Sequence, residues 1–179
     1  MLALGFVSCE KYEDKAQKDI EDALKNQYCN ITDAINYNWG FPGEPNDSLC
    51  IFPVEPFIAY SWTLLDTVFN EDLEVLETRN RTIYFEEYTA IDTLKHMMLM
   101  HDYCSENSSI LLEANRHLLA TVYDNIENDV GQLDCDESSV LNGFISLDSL
   151  SADTLKLRFH KRTIDELNLI INGRAYKNY

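Results

Sequence analysis

Six side chains able to hold a soft metal ion crowd one short stretch: His96, Met97, Met98, Met100, His101 and Cys104. Imidazole, thioether and thiolate are ligands that suit copper(I). At helical spacing, though, Met97, Met98 and His101 share an apolar face while His96 and Met100 turn away from it. The stretch is therefore expected to be a methionine-rich core, and no metal or cofactor is assigned. Asp134, Asp136 and Ser138 offer oxygens at the spacing with which a calcium loop opens, but the glycine and the closing glutamate are missing at their offsets. An acidic turn is expected there. The chain has no G-x-S-x-G elbow, no Gly-rich phosphate loop and no HExxH pair. His117 and His160 have no partner that the sequence assigns, and acid pairs such as Glu86 and Glu87 carry no information in so acidic a chain. No catalytic residue is assigned, and the reading leans away from an enzyme.

Asp and Glu number 31 against 14 Lys and Arg, a net charge of −17. Each phosphate contact needs a cation, so no nucleic acid is expected as a partner. Apart from Cys9, the cysteines are Cys29, Cys50, Cys104 and Cys135, an even set without a CxxC pair. Zinc sites usually show close pairs. In an exported chain the four would form two disulfides, whereas in the cytosol they would be buried thiols. Proximity favours Cys29 with Cys50 and Cys104 with Cys135, each closed loop stabilising by roughly 3 kcal/mol.

Two further patterns concern address. Small and apolar residues from Leu2 to Ser8 stop at Cys9, and Glu10, Lys11, Tyr12, Glu13 and Asp14 follow at once. Phe6-Val7-Ser8-Cys9 resembles the lipobox of a bacterial lipoprotein, which is cut before the cysteine that then carries lipid. The triplet Asp-Ser/Thr-apolar recurs at Asp47-Ser48-Leu49, Asp66-Thr67-Val68, Asp92-Thr93-Leu94, Asp148-Ser149-Leu150 and Asp153-Thr154-Leu155. Composition alone gives on the order of one such match. The triplet is similar to the sequon on which Bacteroidota attach O-glycans to exported proteins, which would put sugar on Ser48, Thr93, Ser149 and Thr154. Thr67 sits in the most apolar segment, and helix caps and turns also use Asp beside Ser or Thr. Asn30, Asn46, Asn80 and Asn107 stand in N-linked sequons, the mark of a eukaryotic secreted chain.

The elements that must position these residues read as follows. Residues 1–8 are expected to be the remnant of a lipoprotein signal peptide, 9–15 a tether and 16–179 one globular domain. Tyr12 to Tyr28 carries apolar residues at helical spacing, and a helical turn is expected at Thr32 to Tyr37. The loop that follows holds Trp39, Phe41 and Phe52, aromatics that could line a ligand site or staple the loop to the core. Phe57 to Phe69 is expected to be a buried helix, with two short strands flanking Thr78 to Arg81. Thr89 and Ser108 or Ser109 cap two helices that make an antiparallel hairpin over about 90–127. Beyond it the pattern alternates with period two, and Asn172-Gly173 favours a tight hairpin turn. The expected fold class is α+β, amphipathic helices followed by a small antiparallel β-sheet at the C-terminus.

No run of about 18 apolar residues occurs, so any membrane attachment is expected through the lipid. The resemblances imply a small acidic lipoprotein of the outer membrane, periplasmic or surface-exposed. Three functions fit: a non-catalytic binding or accessory protein with a protein or glycan partner, an immunity-type inhibitor of a basic toxin, and a periplasmic hydrolase.

Overall fold

The structure is a computed structural model that describes residues 17–22, 24–38, 43–88, 96–105, 108–124, 126, 131–135, 138–150 and 153–179. The chain divides into two compact units, Met1–Cys50 and Ile51–Tyr179.

In the first unit residues 17–22 are helical. Strand β1 (Gln27–Tyr28) pairs in parallel with β2 (Glu44–Pro45). Two strands this short bury little, and the unit is held by cross-links instead. Cys29, only 2% exposed, is bonded to Cys50. The Asn46 side chain accepts from Ser48 N at 3.0 Å, capping the 3-10 turn Asp47–Leu49, and donates to Gln27 Oε1 at 2.8 Å.

The second unit begins with the short helix α1 (Glu55–Ile58) and continues in strands: β3 (Ser61–Phe69), β4 (Val75–Glu87), β5 (Met97–His101), β6 (Ser109–Arg116), β7 (Leu119–Val122), β8 (Gln132–Leu133), β9 (Val140–Leu147), β10 (Thr154–Arg162) and β11 (Asn168–Lys177). In β3 and β10 the buried residues recur every second position, which puts alternate side chains on one face. Trp62, Leu64, Asp66 and Val68 of β3 are buried, as are Leu155, Leu157 and Phe159 of β10. Neighbouring strands pair antiparallel in the order β3, β4, β5, β6, β7, β9, β10, β11, and β11 pairs back onto β3. That closes an eight-stranded up-and-down barrel, in which every strand of the wall pairs with one on either side over at least part of its length.

Barrels of this size have room inside for side chains or one small ligand. Here side chains fill it: Trp62, Ile83, Met98, Met100, Leu112 and Phe159 are all fully buried. Phe57 of α1 caps one end, its ring 6.1 Å from that of Phe85 and its carbonyl accepting from Trp62 Nε1 at 3.1 Å. A barrel that spans a membrane turns its apolar side chains outward; this one turns them inward.

One lane of the wall is made of two pieces. β10 occupies one side of β9 along its whole length, so β7 and β8 must share the other. β7 pairs from Leu119↔Ser146 to Thr121↔Phe144, and β8 takes over at Gln132↔Leu141. Where the main chain leaves the lane, the Gln132 side chain stands in for it. Its Oε1 accepts from Leu111 N at 3.0 Å, a bond a neighbouring peptide group would make, and its Nε2 donates at 2.5 Å to Leu111 O, which also accepts from Tyr123 N at 2.9 Å.

The expected α+β fold is thus corrected to a mostly β fold. The described part of 90–127 holds β5, β6 and β7 rather than a helical hairpin, and Phe57–Phe69 is the end of α1 and all of β3. Met98 and Met100 share the inner face, not Met97, Met98 and His101. These segments are apolar on both faces and rich in Leu, Met, Ala and Glu, which favour helix in isolation. Pairing with a neighbour on either side in a closed wall overrides that preference. β4 is one strand across Thr78 to Arg81, and β11 runs straight through Asn172-Gly173. The turn before it is Thr163–Leu167, where Thr163 Oγ1 accepts from Leu167 N at 3.2 Å and Glu166 takes the left-handed conformation. The extended strands at the C-terminal end were legible from their alternation and belong to the barrel, not to a separate small sheet.

Candidate functional site

A carboxylate in the middle of a buried strand needs partners, because burying an unpaired charge is costly. Asp66 has no solvent exposure, and two guanidiniums from β4 serve it. Arg79 makes a short ion pair with Asp66 Oδ2, and Arg81 lies 3.5 Å from Oδ1. Gly173 faces Asp66 across the β3–β11 pair, and a Cβ there would fall 2.9 Å from that of Asp66. Tyr103, 2% exposed, lies under both arginines, with guanidinium carbons 5.7 and 5.1 Å from its ring centre. Its own ring meets Phe159 edge to face at 5.4 Å. Burial pushes the Tyr103 hydroxyl well above the ordinary tyrosine range. Burial also works against the Arg79 charge, but the bond to Asp66 and the charges of Asp66 and Glu77 outweigh it and raise its pKa.

A second pair, Lys161 Nζ to Asp134 Oδ2 at 2.6 Å, lies beside the Cys104–Cys135 disulfide, whose Cys104 Sγ is 3.1 Å from Asp134 Oδ1. The polar network closes the barrel end opposite Phe57. It acts as a brace, since each half-buried cation has a buried anion within reach. Two guanidiniums nevertheless share one carboxylate, and Asp66 Oδ1 and Arg79 Nε each lack a hydrogen bond.

The wall opens next to this network. β4 pairs with β5 only over Tyr84–Glu87, so its edge from Val75 to Ile83 has no strand partner on that side among the described residues. A groove of about 630 Å³ lies between this edge and the turn after β5, lined by Thr78, Arg79, Asn80, Arg81, Asp102 and Ser105 among others. It offers peptide groups, hydroxyls and an amide, but its arginines are already engaged by Asp66.

The sequence-derived candidates are scattered. Cys29–Cys50 and Cys104–Cys135 are bonded as proximity suggested, with S–S distances of 1.99 and 2.02 Å. Such bonds belong to an oxidising compartment outside the cytoplasm. Ser48 is exposed on the 3-10 turn, Ser149 is exposed in the β9–β10 turn, and Thr154 starts β10 half-buried. Phe52 is buried in the core. Cys9, Trp39, Phe41, Thr93 and Asp136 lie outside the described residues.

The soft-ligand stretch is taken apart by the strand. Met98 and Met100 enter the barrel, Cys104 is oxidised, and each histidine meets a carboxylate on the outer wall: His96 with Glu113 and His101 with Glu86, both at 3.1 Å. His101 also stacks on Tyr84 at 4.6 Å. His117 and His160 are exposed and have no carboxylate partner among the described residues. Sequence reasoning missed Asp66, Arg79, Arg81 and Tyr103. The first three had a signal: each is a charge in the alternating phase of its strand, Asp66 with Leu64 and Val68, Arg79 and Arg81 with Ile83 and Phe85.

No protein-family model and no curated protein matches this sequence.

Proposed function

We propose that the protein is a small acidic lipoprotein of the cell envelope, held to the outer membrane through lipid on Cys9, which binds a protein or glycan partner without transforming it. The observation that carries the reading is the filled barrel: packed side chains occupy its interior and the buried charges at its polar end bind one another. A catalyst would need a chamber or cleft where a base meets a nucleophile. Here the histidines with carboxylate partners lie on an outer wall, and the groove beside the polar network has its cations committed. Such a molecule works through its outer surface, as a rigid post that presents side chains. The two disulfides agree with residence in the envelope.

The test is the intact mass of the protein from its native envelope, with a turnover assay on the polysaccharides and peptides of that envelope. Acylated mass beginning at Cys9, with binding and no cleavage, is the expected result. An unmodified mass retaining Met1, or turnover, would overturn the reading.

A further inference from the structure

The outer wall of β9, β10, β11 and β3 contains no acid. The inward positions of these strands are set by their buried residues and by the register that links them. None of the remaining, outward positions is Asp or Glu, in a chain with 31 of them. β10 instead presents Lys156, Arg158, His160 and Arg162, one after another on the outer face, and all four are exposed. Arg174 of β11 is exposed directly opposite Lys156. Like charges placed opposite on paired strands repel and destabilise the sheet. Neither of them, nor Arg158, has an ion-pair partner among the described residues. Acids return only in the turns that end these strands, as at Asp153 and Glu166.

Lys156, Arg158 and Arg174, unneutralised inside an acidic protein, make a strip of reversed potential, and it fits a negative ligand. Its shape says which kind. Alternate residues of a strand are about 6.8 Å apart and neighbouring strands about 4.8 Å, so the strip is narrow and long. A membrane would present its negative plane to the exposed acids of the turns, Asp153 and Glu166 among them, as well as to the strip. A slender chain lying along β10 would touch the strip alone. The flanks suit sugar: Asn142 and Asn172 stand beside the cations to meet hydroxyls, and Tyr176, 52% exposed, offers a ring face. A hollow of about 200 Å³ between β9, β10 and β11 is lined by Asn142, His160, Arg162 and Asn168 among others. Arginine binds carboxylate and sulfate with two parallel hydrogen bonds.

We infer that the outer face of β10 and β11 binds a linear acidic polysaccharide, its carboxylate or sulfate groups held by Lys156, Arg158 and Arg174. This rests on the binding reading above and names the ligand class for it. The test uses the full-length protein in affinity electrophoresis, with polygalacturonate as probe, an uncharged glucan as control and anionic phospholipid vesicles as the competing surface. The protein should be retained by polygalacturonate and not by the glucan, and added salt should weaken retention. The double variant Arg158→Gln/Arg174→Gln should bind about tenfold more weakly or worse, with its thermal midpoint unchanged or raised because a like-charge pair is relieved. Arg116→Gln, an exposed change on β6, should bind as the parent does. Absence of retention, equal retention by the double variant, equal weakening by Arg116→Gln, or tighter binding to vesicles would each overturn the strip and leave the binding reading standing. Release of reducing ends from polygalacturonate would overturn the binding reading itself.

Discussion

Asp66 and Tyr103 show how single residues set the chemistry of the barrel end. Asp66 draws two arginines inward, and Tyr103 is the surface on which those arginines lie. Removing one partner of a buried ion pair leaves the other charged and unpaired, which usually costs more than the pair contributes. Tyr103 also ties stability to pH. Its folded pKa is raised, whereas an unfolded tyrosine ionises near about 10. The contribution is therefore fully present below about pH 10 and is lost as pH climbs toward the folded value, because the unfolded chain releases its proton first. The replacement Tyr103→Phe keeps the ring and removes the ionisation. Urea midpoints of parent and variant should draw together between about pH 8 and pH 11. A gap that stays constant over that range would contradict the buried hydroxyl.

At the scale of elements, the two-piece lane formed by β7 and β8 depends on one side chain. Gln132→Leu would keep the volume but leave the Leu111 amide without its acceptor, while the Leu111 carbonyl keeps the bond from Tyr123 N at 2.9 Å. An unmade hydrogen bond in such a place costs about 1–3 kcal/mol, so a loss of about 1–3 kcal/mol is expected. Urea unfolding measures the loss, and faster exchange of the Leu111 amide locates it. An unchanged exchange rate would show that water or backbone already closes the gap.

The strands explain what could be read in advance. β10 was legible because charged and apolar residues alternate along it, and the disulfide pairing was legible because, with Cys9 set aside, each cysteine has one near neighbour in sequence. β5, β6 and β7 were not. Ile110-Leu111-Leu112 is apolar without a break, so period alone cannot separate a strand from a helix. Information about those strands lies in their neighbours: Met100 pairs with both Phe85 and Ile110, fifteen or fewer positions away but joined through turns that no motif announces. Asn172-Gly173 misled for a related reason. Gly173 is small because Asp66 lies across from it, not because the chain turns there. The polar site was hidden by the same logic, since the charges of Asp66, Arg79 and Arg81 stand in phase with apolar neighbours and come together only when the wall closes.

At the scale of the whole molecule, the barrel should not need the first unit. All of its wall, its apolar cap at Phe57 and the Cys104–Cys135 bond lie within Ile51–Tyr179. A chain of residues 51–179 should fold by itself, with the far-ultraviolet spectrum of a β protein and a single cooperative thermal transition. Gradual melting, or aggregation under conditions where the full chain is soluble, would show that residues 1–50 are required.

Closure by β11 on β3 also sets an order in time. β3 is made early and β11 after every other strand of the wall, so neither Asp66 nor the inner face of β3 can be covered until β11 has emerged. A chain threaded across a membrane from its N-terminus would spend that interval as an open sheet. Its edges are then ready templates for foreign strands, and its cysteines wait for an oxidant. The vulnerable moment of this protein is therefore its delivery, and a chaperone at the exit side that shields the free edge of β3 would protect it better than any gain in the stability of the finished barrel.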